Sequence, residues 1–330
     1  MPRKLIIDTD PAMGSVGGDP EDGFAILLAL NSPEVEVVGV TVVQGNVPVE
    51  RGYSNAAYLL ESLSRLIPIH SGPPHTLTPE RSEQRKRLSR RENMEQIAPM
   101  RDPAEHPVSA AEFIASTCLA APGEIELVTI GPLTNLALAL QHHPALAAAI
   151  PFVTMMAGAA RIPGNITPSA EFNVWADPDA ADVVFRSGIP IRMIPLDVCH
   201  QTRMGAAELS RIGEGRHPVC QFVQSSVQPW IDARTRGDAA GTFHLYDSLA
   251  VAAVVAPNLL QYRPANVAVE TCGEHTTGAT VCEFNESIIG RLRKPAPNAE
   301  VALGVDVEAF QALFNERVVE YLRTLPAAEH

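Results

Sequence analysis

The chain is short of positive charge: 25 lysines and arginines stand against 38 aspartates and glutamates, a formal net charge of −13 over 330 residues. A field of that sign repels nucleic acid and anionic membrane surfaces, so neither is expected as a partner. It tolerates a bound divalent cation and a neutral small molecule. No apolar run approaches the length of a membrane span. Leu5-Ile6-Ile7, after Met1-Pro2-Arg3-Lys4, stops at Asp8, too soon for the core of a secretory signal. The cysteines are few and odd in number, and Cys118, Cys199, Cys220, Cys272 and Cys282 form no CxxC pair. Reduced, buried thiols in a cytoplasmic protein are the expectation. Also missing are the GxSxG elbow of serine hydrolases, the HExxH zinc motif and the phosphate loop ending in Gly-Lys-Ser/Thr.

What is present is a 46% hydrophobic sequence in which short β-branched runs alternate with longer helical patterns. Strands are expected at 4–8, 35–43, 125–130, 152–156 and 191–194, with 35–43 covered on both faces. Helices are expected at 22–30, 49–66, 179–187 and 310–322, the first apolar nearly all round and the last amphipathic. This order predicts an α/β fold: one domain over residues 1–330, with a mostly parallel central sheet and helices on both faces. Ligands of such folds sit at the carboxyl ends of the strands. The charge-dense stretch 79–100 reads as a surface insertion: a solvated helix, a flap near the active site or a subunit contact.

The chemistry-bearing residues do follow strands. Asp8 and Asp10 close the first apolar run and point to the same side. Two like charges there are costly unless a cation or hydrogen bonds compensate. Asp19, Glu21 and Asp22 come next, just before the apolar helix, where an acid could equally cap that helix. Oxygen ligands without a nearby His or Cys favour Ca²⁺ or Mg²⁺ over zinc. Gly14–Gly18 between them reads as a flexible loop beside the acids, since it lacks the spacing of a phosphate cradle. A second cluster, Gly164 to Asn173, gathers Asn165, Glu171 and Asn173 among turn residues. It is either an ordinary polar loop or a donor–acceptor set for vicinal sugar hydroxyls. A third, His244-Leu245-Tyr246-Asp247, precedes an apolar helix, and Asp247 is either its N-cap or a ligand. His142-His143 reads as a helix C-terminus.

In order, these stretches resemble the inosine/uridine-preferring nucleoside hydrolase family. The similarity runs through Asp8-Thr9-Asp10-Pro11, Glu21-Asp22-Gly23-Phe24-Ala25-Ile26, Gln44-Gly45-Asn46 and Ile130-Gly131-Pro132-Leu133-Thr134-Asn135. It continues through Gly164-Asn165, Glu171-Phe172-Asn173, Pro195-Leu196-Asp197-Val198 and Asp247. The resemblance implies a nucleoside-hydrolase-like fold with a Rossmann-like core, a deep Ca²⁺ and a ribonucleoside cleaved to base and ribose. It implies metal ligands at Asp10, Asp22, the Ile130 carbonyl and Asp247, with Asp10 also the general base. Glu21, Asn46, Asn165, Glu171 and Asn173 match substrate-binding positions, and Met156 matches an apolar wall of the ribose site. Asp8 and Asp19 are additional candidate ligands. A homodimer or homotetramer is implied as well.

Two departures stand out. The family runs Asp-Pro-Gly-x-Asp-Asp after its first acids, whereas here a longer loop separates Asp10 from Asp22, and Glu21 replaces an Asp. Many members carry a His before the last metal Asp, where it protonates the leaving base. Here Tyr246 stands there, a far weaker acid, with His244 two residues earlier as a substitute. Two alternatives follow: a non-catalytic nucleoside- or ribose-binding protein on the same scaffold, or an aspartyl phosphatase of the haloacid-dehalogenase type, whose apolar-DxD start Ile6–Asp10 imitates.

Overall fold

Residues 5 to 7 explain the architecture in miniature. In strand β1 (Arg3–Thr9) the side chains of Leu5 and Ile7 enter one hydrophobic core and Ile6 enters another, as the two-residue period of a strand requires. The sheet is therefore buried on both faces, and the strand reads as an unbroken apolar run. A computed structural model describes residues 2–81, 94–103, 108–234 and 241–327.

After β1 come β2 (Val35–Val42), β3 (Ile69–Ser71), β4 (Ile125–Thr129), β5 (Val153–Met156), β6 (Ile191–Ile194), β7 (Arg203–Gly205), β8 (Thr242–His244), β9 (Leu260–Val269), β10 (Thr280–Glu283) and β11 (Ala299–Val305). Among the described residues, nine of them form one sheet in the order β10-β9-β11-β6-β5-β4-β1-β2-β3. From β11 to β3 every pairing is parallel, and β9 pairs antiparallel with both β10 and β11. Strands β7 and β8 form a separate antiparallel pair. The expected α/β fold with a mostly parallel sheet is what forms, and the strand order places β1, β4 and β5 side by side at its centre. No helix among the described residues is long and apolar enough to cross a membrane.

Several expectations need correction. Strand β2 is covered on both faces only in its second half: Glu36 is exposed, and Val37 and Val38 are half-buried. The helix expected to reach residue 66 stops at Ser62, because Ser64 turns left-handed at φ 53° and Leu66 is fully exposed. The last helix is not one amphipathic unit. Val307–Phe314 passes into a π-helical turn at Asn315–Glu320 and then into Tyr321–Thr324. The wider turn carries the adjacent Val318 and Val319 both into the core. All five cysteines are free, but only Cys118, Cys199 and Cys220 are buried; Cys272 is exposed and Cys282 half-buried.

Most of the segment expected as an insertion, residues 82–93, lies outside the described residues. Its C-terminal end does not stand off in solvent. Gln96 bridges to Ser15, and Val16 N–H donates to the Glu95 carbonyl, so this stretch lies against the Gly14–Gly18 loop and ties it down.

Candidate active site

The carboxyl ends of β1, β4 and β5 deliver Asp10, Ile130 and Met156 to one place, and the chain folds its acids around it. Asp8 sits deepest. Its Oδ1 accepts from Thr41 Oγ1 at 2.6 Å and from Asn135 Nδ2 at 2.8 Å. Its Oδ2 is buried with no hydrogen-bond partner among the described residues. Burial pushes this carboxyl up to about 7, against the pull of those two donors.

Asp10 follows the strand. Its Oδ2 accepts the Asn46 backbone N–H at 2.5 Å. A Cβ at Gly45 would stand 2.0 Å from that same oxygen, so only glycine lets the 44–46 turn approach the carboxylate. Asp22 comes from the first turn of the helix Glu21–Leu30. Its Oδ1 accepts Thr9 Oγ1 at 2.5 Å and Asp10 N–H at 3.0 Å, while Oδ2 faces Asn46 Nδ2 at 3.4 Å. Burial, with Asp19 adding repulsion, pushes its carboxyl up to about 6. The capping reading of Asp22 is therefore wrong: Pro20 holds the N-cap position without a side-chain bond, and Asp22 turns inward to β1. Asp19 does accept the Glu21 backbone N–H, at 3.2 Å.

Glu21 is buried, and neither carboxylate oxygen has a hydrogen-bond partner of ordinary geometry among the described residues. Burial first, then repulsion from Asp19 and Asp22, raises it well above the usual carboxylate range; the N–H groups of Ser248 and Asp247 ease it only in part. Those amides belong to the first turn of the helix Asp247–Val255. Asp247 is the first helical residue rather than its cap, which corrects the capping reading there too. Burial, then Asp22, Glu21, Asp19 and Asp10 in turn, raise Asp247 well above the normal range.

Glu171 is the opposite case, a carboxylate held by amides. It caps the helix Phe172–Ala176, accepting Asn173 N–H at 2.7 Å, Gly158 N–H at 2.9 Å and Val174 N–H at 3.2 Å. Burial still raises it overall. Asn173 spends its Nδ2 on the carbonyls of Ile130 at 3.2 Å and Met156 at 3.0 Å. Asn165 Oδ1 accepts Phe172 N–H at 2.9 Å. The polar stretch 164–173 is therefore a shaped wall, not an ordinary surface loop.

These groups enclose a cavity of about 150 Å³ lined by Asp19, Glu21, Asn46, Ile130, Met156, Asn165, Ile166, Glu171, Phe172, Asn173, Tyr246 and Asp247. Asp8, Asp10 and Asp22 are not among its lining residues. His244 is not among the lining residues; its ring packs 5.7 Å from Tyr246 and 4.7 Å from His200. His244 Nδ1 lies 3.2 Å from the Thr202 carbonyl, which can only accept, so Nδ1 carries a proton there. Ile166, Phe172 and His200 were not among the residues singled out from sequence. Ile166 and Phe172 are apolar positions inside the polar 164–173 motif, and that contrast was the available signal. His200 had none beyond following Pro195–Val198.

Carboxyls crowded this way stay ionised only beside a positive counter-charge, and among the described residues no cationic side chain lines the cavity. The orphaned oxygens of Asp8 and Glu21 and the all-oxygen donor set fit a hard divalent cation. Among the described residues, no three His, Cys, Asp or Glu side chains are already gathered in a form that could hold an ion. The fit lies in donor chemistry and charge rather than in a closed cage. His142 ends its helix with His143 at the C-cap, and His143 pairs with Glu112 at 2.9 Å, away from any such cluster.

Comparison with known proteins bears on this arrangement. The family model described as inosine-uridine preferring nucleoside hydrolase matches residues 5–312. The chain is 36% identical over 309 residues to the non-specific ribonucleoside hydrolase RihC of Salmonella paratyphi C, covering 93% of this chain and 94% of that one. It is 31% identical over 328 residues to a protein of Arabidopsis thaliana named probable uridine nucleosidase 2, covering 96% and 98% of the two. Among solved structures, a purine-preferring ribonucleoside hydrolase from Gardnerella vaginalis superposes with a TM-score of 0.82 at 30% identity, over 98% of this chain and 100% of that one. A match of this extent leaves the phosphatase reading of Ile6–Asp10 without support.

Proposed function

The chain belongs to the inosine-uridine preferring nucleoside hydrolase family and is an N-glycosyl hydrolase, and from that premise we propose that it cleaves ribonucleosides to free base and ribose with Ca²⁺ as its metal and Asp10 as general base. The observation that carries this reading is that Asp10, Asp19, Glu21 and Asp22 all lie near enough to Asp247 to repel it, beside a small cavity lined by amide side chains. Asp10, Asp22, Asp247 and the Ile130 carbonyl would hold the ion, with Asp8 and Asp19 behind and beside them. When bound, it supplies the charge that makes a nearby water more acidic.

The chain's own residues do the rest. Asp10, its Oδ2 fixed by Asn46 N–H, takes the proton of the attacking water. Glu21, Asn46, Asn165 and Asn173 hold the sugar hydroxyls, and Met156 closes the apolar side. Glu171 is oriented by amides before substrate arrives, so its charge is available to the oxocarbenium-like transition state without reorganisation. Tyr246 donates to the departing base, with the His244 ring behind it. Asp10→Asn tests the assignment. It should lower kcat roughly a thousandfold in a reducing-sugar assay while leaving the fold intact. Release within tenfold of wild type would remove Asp10 as the base.

A further inference from the structure

The loop that separates Asp10 from Asp19, Glu21 and Asp22 is closed by a ring of three hydrogen bonds running in one sense. Ser15 Oγ donates to Gln96 Oε1 at 2.8 Å. Gln96 Nε2 donates to Asn55 Oδ1 at 2.6 Å. Asn55 Nδ2 faces Ser15 Oγ at 3.4 Å and also donates to the Pro11 carbonyl at 2.9 Å. Each residue gives one bond and takes one, so each bond polarises the next and loss of any member opens the ring. Ser15 and Asn55 are buried, and none of the three lines the cavity.

The backbone follows the ring. Ile97 N–H donates to the Gly14 carbonyl at 2.7 Å and Val16 N–H to the Glu95 carbonyl at 2.8 Å. Gly14 sits at φ 117°, and a Cβ there would stand 2.4 Å from Asn55 Oδ1. Only glycine meets both demands. One carboxamide, that of Asn55, therefore pins Pro11 directly after Asp10 and Ser15 in the middle of the loop. The Gly18 N–H to Ser15 carbonyl bond at 2.9 Å then leads straight into Asp19 and Glu21.

We propose that this ring makes Gln96, from a distant part of the chain, a positioning residue that sets the separation between Asp10 and the acids after the loop, and so sets the affinity for the divalent cation. The inference rests on the metal reading above. Acids that repel one another must be held together before an ion arrives, and whatever holds them lowers the cost of binding.

The test is calorimetric titration of metal-free protein with Ca²⁺ alone, on wild type, Ser15→Ala, Gln96→Ala and the double variant. The control is Asn31→Ala, which removes a hydrogen bond to the Arg317 carbonyl far from the site. Each single ring variant should bind Ca²⁺ about tenfold more weakly. The double variant should be no weaker than the worse single one, because one ring can be opened only once. The control should bind like wild type. At saturating Ca²⁺ the variants should recover kcat to within about twofold, which a loss of folded protein would not allow. Wild type that binds no Ca²⁺ overturns the metal reading and this inference with it. Wild type that binds, with ring variants binding equally well or with the two effects multiplying, overturns this inference alone.

Discussion

Replacing Asp8 by Asn should stabilise the metal-free protein at alkaline pH. The Asp8 carboxyl is pushed from 3.8 to about 7 by burial, a cost of about 4 kcal/mol for carrying its charge when folded. The sign follows from linkage. Below 3.8 folded and unfolded chains are both protonated and there is no cost. As pH rises the unfolded chain ionises first, so stability falls until pH passes about 7. Asparagine keeps an Oδ1 for Thr41 and Asn135, and it carries no charge. Its amide N–H₂ replaces an oxygen that has no partner, which gives back about 1–3 kcal/mol. The net gain at pH 8 is about 1–3 kcal/mol, a rise in Tm of about 2–4 °C for 330 residues. The assay is thermal unfolding in chelator at pH 5 and pH 8. The difference between variant and wild type should widen by about 3 kcal/mol in favour of the variant over that range. A difference that stays constant or shrinks would refute the claim that Asp8 is held charged at a cost.

Asn173→Ala withdraws the amide that serves the Ile130 and Met156 carbonyls, so it should cost about 1–3 kcal/mol in thermal unfolding and raise KM in the nucleoside assay. Tyr246→Phe keeps the ring and loses the donor, so steady-state kinetics should show kcat down about tenfold with KM little changed. An effect on KM alone would make Tyr246 a wall rather than a proton donor. Asp10→Asn, read by kcat in the reducing-sugar assay, and the ring variants, read by Ca²⁺ titration against wild type, complete the set.

The parallel centre of the sheet was legible because a doubly covered strand leaves an unmistakable mark: Leu5-Ile6-Ile7 has no polar side to offer, and β6 occupies the expected 191–194, whereas β3, β9, β10 and β11 were not among the expected strands. Element ends were less legible, since Ser64 stops its helix by a backbone angle that no side-chain pattern announces. The placement of the acids was legible as far as local order reaches. Asp8 and Asp10 follow a strand, and Glu21 and Asp22 open a helix. Which of them caps, which faces Thr9 and which is left without a donor depends on β1 meeting that helix, a tertiary event. The contact between 94–98 and the glycine loop was invisible for the same reason. Ser15, Asn55 and Gln96 lie far apart in sequence, and nothing in the Gly14–Gly18 loop or the 79–100 stretch marks them as partners. His200 joins His244 and Tyr246 only because β7 and β8 pair.

The measurement closest to the central claim is release of reducing sugar from a panel of purine and pyrimidine ribonucleosides, with the protein first stripped by chelator and then resupplied with Ca²⁺. The acid cluster predicts release from at least one nucleoside that disappears on chelation and returns with the ion. Release that survives chelation, or none from any ribonucleoside with Ca²⁺ restored, would contradict it.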